Sequence, residues 1–178
     1  TIRVDADELR RDKTGQIMVR IGELARRVAT HPNKLLSDLI LAGASTNGYD
    51  GVPFFATSHS EGDSGTQSNS ITYDAPTPTA PSDTEMYEGI VKGVSQIIGQ
   101  KDDVGEPMNE SAREFMVMVP MSFVSSTLVA LSSKMRDSTS NPLAIAEPFR
   151  VSWVANPRIT WTDKFAVFRT DGQARPFL

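Results

Sequence analysis

The residues best suited to chemistry lie in one short stretch. Gly62-Asp63-Ser64-Gly65 spells the tetrapeptide around the nucleophile of trypsin-like proteases, and His59 stands just upstream of it. A nucleophilic serine needs a histidine to take its proton and a carboxylate to orient that histidine. Here His59 would serve as the base and Asp63 or Ser64 would complete the site. Trypsin-like enzymes draw these groups from distant parts of a double β-barrel, and this sequence has too few strands for one. A four-residue match inside a Gly/Ser-rich loop is weak, so a hydrolase using His59 with Asp63 or Ser64 is kept only as an alternative. His59, Glu61 and Asp63 are alternate residues and could in principle meet a metal. Three ligands on a loop, with nothing to orient them, make a poor site. No glycine-rich phosphate loop, Cys/His cluster or helical His-Glu-x-x-His occurs. The sequence therefore names no catalytic residue, no cofactor and no metal ligand. The other histidine, His31, sits beside Pro32, where helix capping is the expected use.

The bulk numbers restrict the remaining classes. A length of 178 residues is one domain's worth. A chain of that size can bury roughly 70% of its unfolded surface without staples. The 18 basic and 22 acidic residues are interspersed and leave a net charge of −4. This is the opposite of the basic excess of a nucleic-acid-binding module, so no sequence-specific nucleic-acid partner is expected. There is no cysteine, hence no disulfide framework and no thiolate chemistry. No apolar run approaches the roughly 20 residues needed to span a bilayer, so no membrane partner is expected either.

The elements that would position these residues follow from periodicity. Ile2 and Val4 alternate with polar residues and predict a short strand, followed by an acidic turn at Asp5, Asp7 and Glu8. Ile17, Ile21, Leu24 and Val28 fall on one helical face. Pro32 predicts a kink or a new helix start, with Thr30 or His31 as its cap. Leu35, Leu36, Leu39 and Ile40 continue the apolar face, and Gly43 is a natural stop. Residues 15–43 thus read as a long helix with a kink, or as two helices in near line. The stretch to residue 81 is polar and turn-rich, with mobility expected within 60–80. Ser82-Asp83-Thr84-Glu85 is a capping box for a helix over 83–98. Gly89 and Gly93 strip one side of that helix and predict close packing on a sheet. The apolar run Phe115–Val119 predicts a central strand buried on both faces. Pro120 ends it, and Ser122 is the expected cap of a helix over about 123–133. Strands are predicted over 149–153, 158–161 and 164–169. Asp171-Gly172 then predicts a hairpin turn, with a return strand at 174–178. The class is mixed α+β with one central sheet.

The segment Gly48-Tyr49-Asp50-Gly51-Val52-Pro53-Phe54-Phe55-Ala56-Thr57-Ser58-His59 carries a resemblance. Two glycines bracket Tyr-Asp, which is turn chemistry. Pro53 then stiffens the entry to two adjacent phenylalanines, which on an extended chain point to opposite sides. The segment resembles the Tyr-Asp-Gly-x-x-Phe-Phe-x-Thr-x-His loop of the major head subunits (gpT) of Mu-like tailed phages. Ala29-Thr30-His31-Pro32-Asn33-Lys34-Leu35 is similar to the helix that precedes this loop in that family. Asn33 and Lys34 replace two acids there, and Ser60 replaces a proline. Gly105-Glu106-Pro107-Met108-Asn109, followed by Phe115–Pro120 and a helix, resembles a pattern of tailed-phage capsid proteins. Asn141-Pro142-Leu143, 149–154, Asn156-Pro157-Arg158-Ile159 and Phe165–Phe168 look like the family's closing strands.

The resemblance implies a structural protein, not an enzyme: the major capsid subunit of a Mu-like phage or prophage, with the Hong Kong 97 capsid fold. It would be made in the bacterial host cytoplasm and reside in the virion, in an icosahedral shell enclosing DNA. Residues 1–45 would be part of the peripheral domain, comprising the end of an extended loop and the spine helix. Residues 46–148 would form the axial domain, and 149–178 the closing strands that return to the peripheral domain. The family's N-terminal arm and the first half of its extended loop are not among these residues, so this chain alone is not expected to assemble. Its partners would be other copies of itself, in hexamers and pentamers, together with portal, scaffold or decoration proteins. Tyr49, Asp50, Phe54, Phe55 and His59 are the candidates for subunit contacts or for anchoring the subunit's own core. A stand-alone binding or scaffold domain remains a further alternative, carried by the bare glycine side of helix 83–98.

Overall fold

A computed structural model describes residues 5–11, 15–133, 135–136, 139–143 and 148–172. The chain divides into two compact units, 1–39 and 40–178, with the boundary inside a long helix. The expected strand at Ile2 and Val4 and the return strand at 174–178 lie outside the described residues.

The first unit is helical. Helix α1 spans Ala6–Arg11, and the Asp5 carboxylate accepts the Asp7 amide at 2.9 Å, as a residue at a helix start does. Helix α2 spans Gln16–Ala42 with Pro32 inside it. Of the two readings, the single long helix stands; no new helix starts at Pro32, and with that the cap at Thr30 or His31 is absent. The Thr30 hydroxyl instead donates to the Arg27 carbonyl within the helix at 3.2 Å. A proline removes one helical donor, and the periodic sequence on both sides carries the helix through it.

The second unit is α+β. Helix α3 spans Asp83–Ile98. Strand β1 (Glu114–Val119) leads through a 3-10 turn at Met121–Phe123 into α4 (Val124–Ser132). Short strands β2 (Met135–Arg136) and β3 (Thr139–Ser140) pair with each other. Strands β4 (Arg150–Ala155) and β5 (Ala166–Arg169) flank β1 in the order β4-β1-β5, β4 parallel and β5 antiparallel to it. The closing strands 150–155 and 166–169 therefore share one sheet with 114–119.

β1 is buried on both faces, as its uninterrupted apolar run requires. Phe115, Val117 and Val119 belong to a cluster with Met86, Ile90 and Val94 of α3 and Phe123, Ala130 and Leu131 around α4. Met116 and Met118 belong to a second cluster with Ile40, Phe55, Ile159, Trp161 and Phe168. The capping box of α3 is complete: Glu85 N–H donates to the Ser82 hydroxyl, and Ser82 N–H donates to the Glu85 carboxylate. The glycine side of α3 seats on the sheet. A Cβ at Gly89 would stand 3.1 Å from the Phe165 ring, and one at Gly93 would stand 2.9 Å from Val167 Cγ2.

Two other expectations fail locally. Ser122 does not cap α4, because the chain after Pro120 closes on itself, Phe123 N–H bonding to the Pro120 carbonyl at 3.1 Å. Residues 158–161 form no strand. Asn156 gathers the turn instead, its side-chain oxygen accepting from Arg158 N at 3.0 Å and its carbonyl from Ile159 N at 3.1 Å. That turn delivers Ile159 to the second cluster.

Candidate functional site

The aromatic loop is a closed, braced structure. The Gly48 amide bonds to the Val52 carbonyl at 2.7 Å, and Asn47 bridges Pro53. Gly51 takes φ +81°, a conformation that favours glycine. Within this turn the Asp50 carboxylate accepts from the Val52 amide at 3.3 Å through one oxygen. Its other oxygen lies 2.5 Å from His59 Nδ1. The pair is largely buried, with the Asp50 side chain 10% and the His59 side chain 24% exposed. The His59 hydrogen bond holds the Asp50 carboxyl below its ordinary range.

On its other side, His59 Nε2 lies 3.1 Å from the Phe54 carbonyl oxygen. The Asn69 side-chain amide donates to the same carbonyl, and its oxygen accepts from the Ala56 amide at 2.9 Å. Backbone bonds between His59 and Gln67, at 3.0 and 2.8 Å, close the far end of the loop. Gln67 in turn exchanges side-chain bonds with the Lys101 backbone. Gln96 of α3 donates to the Ser68 carbonyl at 2.8 Å. The polar stretch is thus tied to the rest of the second unit at several points.

The five candidate residues have different surroundings. Asp50 and His59 meet each other. Phe54 and Phe55 do not diverge to opposite sides: the chain bends there, and their rings stack edge to face with centroids 5.0 Å apart. Phe55 also meets Trp161 edge-on at 6.3 Å and lies over Gly43, where an added Cβ would be 3.0 Å from its ring. Tyr49 at the turn tip is 91% exposed.

The protease-like tetrapeptide is a turn. Ser64 is buried, accepts the Glu61 amide at 2.9 Å and donates to the Gly65 carbonyl at 3.0 Å. Gly62, at φ +49°, lies against Asp103, whose carbonyl oxygen would sit 2.3 Å from a Cβ there. Both ring nitrogens of His59 face Asp50 and Phe54, not Ser64 or Asp63. The hydrolase alternative therefore has no base at its nucleophile. The bare side of α3, which was to carry the binding-domain alternative, is occupied by Phe165 and Val167. Among the described residues, no group of three or more His, Cys, Asp or Glu could hold a metal ion. No described helix is long and apolar enough to cross a membrane.

Sequence reasoning missed Asn69, and it met Asn109 only as the end of the Gly105–Asn109 pattern, with no role assigned. Asn109 is buried, donates to the Ile97 carbonyl at the end of α3 at 2.6 Å, and accepts from Arg169 of β5 at 2.9 Å. For Asn69 the only signal was an asparagine in a polar stretch, which is ordinary turn composition.

Comparison with known proteins adds a family. Residues 1–87 match the family model described as Mu-like prophage major head subunit gpT. The matched residues include α1, α2, the whole aromatic loop and the start of α3. No curated protein and no solved structure matches the chain.

Proposed function

We propose, from the match of residues 1–87 to the Mu-like prophage major head subunit family, that this chain is a structural, non-enzymatic, shell-forming subunit of a phage or prophage head. Its subunits join in hexamers and pentamers to form an icosahedral shell around DNA. The subunit has the Hong Kong 97 capsid fold, with α2 as its spine helix. Residues 1–45 contribute to the peripheral domain and 46–148 to the axial domain. Residues 149–178 supply the closing strands that return to the peripheral domain, with β4 and β5 paired to β1 on the way. Synthesis takes place in the host cytoplasm and the mature location is the virion. Portal, scaffold and decoration proteins are its further partners.

The observation that carries this reading is the family match, which contains the aromatic loop entire. Two surface features support it. Tyr49 projects from a hydrogen-bonded turn, and exposed aromatic residues are favoured anchors of protein contacts. Along α2, Ile21, Leu24, Val28, Leu35 and Leu39 form one apolar stripe and are each between 38% and 64% exposed. A contiguous exposed apolar surface marks an interaction site. In this reading Tyr49 and the α2 stripe serve contacts between subunits, while Phe55 anchors the subunit's own core and Asp50, Phe54 and His59 hold the loop between them.

Negative-stain microscopy of the protein expressed with the coding sequence upstream of Thr1, beside the 178-residue chain, tests the assignment. Shells or capsomer rings from the longer protein, with monomers or small oligomers from the shorter, are the expected result. Monodisperse monomers from both would overturn it.

A further inference from the structure

We propose that Asp50 and His59 form a proton-dependent brace that holds the aromatic loop in its folded shape only while the imidazole is doubly protonated and the carboxylate is ionised. The inference concerns the loop itself and stands whether or not the chain assembles.

The argument is one of donors and acceptors. His59 Nδ1 faces a carboxylate oxygen of Asp50 at 2.5 Å, and Nε2 faces the Phe54 carbonyl oxygen at 3.1 Å. A carboxylate and a peptide carbonyl only accept hydrogen bonds. A neutral imidazole has one N–H and one lone pair, so it can satisfy one of these neighbours and must oppose the other with a lone pair. The imidazolium has two N–H groups and satisfies both. The observed arrangement is therefore that of the cation. Among the described residues, Asp50 is the carboxylate within ion-pair distance of the ring. The segment across the loop contributes only neutral groups, the Gln67 backbone and the Asn69 amide.

The same geometry says which end lets go. The Phe54 carbonyl has a second donor in Asn69, whereas the carboxylate gains most from keeping the proton on Nδ1. Loss of the imidazole's second proton therefore empties the Nε2–Phe54 contact, at the peptide between the two stacked rings. Protonation of Asp50 removes the ionic half of the brace from the opposite direction. The loop is thus tightest in a window, bounded on the alkaline side by the imidazole titration and on the acid side by the Asp50 titration. The acid limit lies below the ordinary carboxylate range.

The test is a pH series on the intact chain by NMR. The ring signals of His59 are followed with those of the exposed His31 as an internal reference. Exchange protection of the Phe55 and Ala56 amides, which bond to the Gly43 carbonyl and the Asn69 side chain, is read at each pH and corrected for intrinsic exchange. Protection is expected to fall roughly tenfold as the His59 ring titrates, the loss expected for one charge-assisted bond. His59→Gln should abolish this alkaline limb, and Asp50→Asn the acid limb, while the amides of β1 stay unchanged. Protection at Phe55 and Ala56 that is flat across the His59 titration in the parent chain would overturn the brace. So would identical limbs in the parent and both variants.

Discussion

The seating of α3 on the sheet can be tested with one methyl group. Gly93→Ala adds a Cβ 2.9 Å from Val167 Cγ2 and 3.4 Å from Val167 Cβ. Two effects oppose each other. Alanine in place of glycine inside a helix is worth about 1 kcal/mol of stability. Forcing a methyl into a packed contact costs about 1–3 kcal/mol. The sign depends on whether the neighbour can give way. Val167 is β-branched, with its χ1 restricted, and its backbone is paired to β1 opposite Val117. It cannot move far, so packing outweighs propensity and Gly93→Ala should destabilise by about 1 kcal/mol. With a urea m-value of about 2 kcal/mol/M, the midpoint falls by about 0.5 M. Gly89→Ala is the contrast. Its Cβ would meet the edge of the Phe165 ring at 3.1 and 3.3 Å, and that ring can swing by a few tenths of an ångström. Propensity should then win or break even. The double variant Gly93→Ala/Val167→Ala restores room for the new methyl. It should be more stable than the sum of the single effects by about 1 kcal/mol. A Gly93→Ala midpoint above that of the parent chain, combined with strict additivity with Val167→Ala, would refute the close contact between α3 and β5.

Three further outcomes follow from the same interactions. Ser82→Ala removes the side-chain half of the capping box and should lower stability by about 1 kcal/mol in urea melts, with Ser82→Gly losing less. Asn109→Ala should cost about 1 kcal/mol, since it removes one donor to the Ile97 carbonyl, which keeps the Gln100 amide, and one acceptor of Arg169; urea midpoints measure it. Asp171 is pulled down to about 2, first by its bond to Arg169 and then by the Arg113 amide. A carboxyl depressed on folding adds stability that is present above its unfolded value near 3.9 and is lost as pH falls through about 2. Asp171→Asn should therefore flatten the acid limb of the stability profile between those limits, leaving the slope above pH 5 unchanged.

The parts that were legible are those in which one short pattern meets one physical demand. Ser-x-x-Glu before an apolar period predicts a capped helix because the two side chains reach only the amides beside them, and α3 begins at Asp83 as a result. An apolar run without alternation at 115–119 predicts burial on both faces, and Val117 and Met118 enter different clusters. The misses at Thr30, His31 and Ser122 share a cause. Each assumed that a residue able to cap will cap, whereas a side chain caps only where the backbone leaves an amide unsatisfied. α2 leaves none at residue 30, because the helix does not stop there. At Ser122 the backbone closes its own 3-10 turn.

The aromatic loop shows why the rest was not legible. Tyr49, Asp50, Phe54, Phe55 and His59 were grouped because they recur together in a family pattern, and that grouping says nothing of which residue does what. Helical and strand periods are blind to a loop, where partners are set by turn geometry and not by fixed spacing. The structure separates the five by environment. Asp50 and His59 meet across a turn that needs Gly51 at positive φ. Phe55 lies over Gly43 at the end of α2. Tyr49 touches solvent. A loop whose purpose was only to fill the core would have no reason to fix an exposed tyrosine on a turn held by the half-buried Asp50–His59 contact, because a flexible turn would cover the core equally well. Rigidity at the base with an aromatic ring at the tip is what a contact surface needs, since ordering a loop on association costs binding free energy that a preformed loop does not lose. The brace and the exposed tip therefore point in the same direction. Loosening the base through His59 should weaken the subunit contacts proposed for Tyr49, even though the two side chains have no direct hydrogen bond.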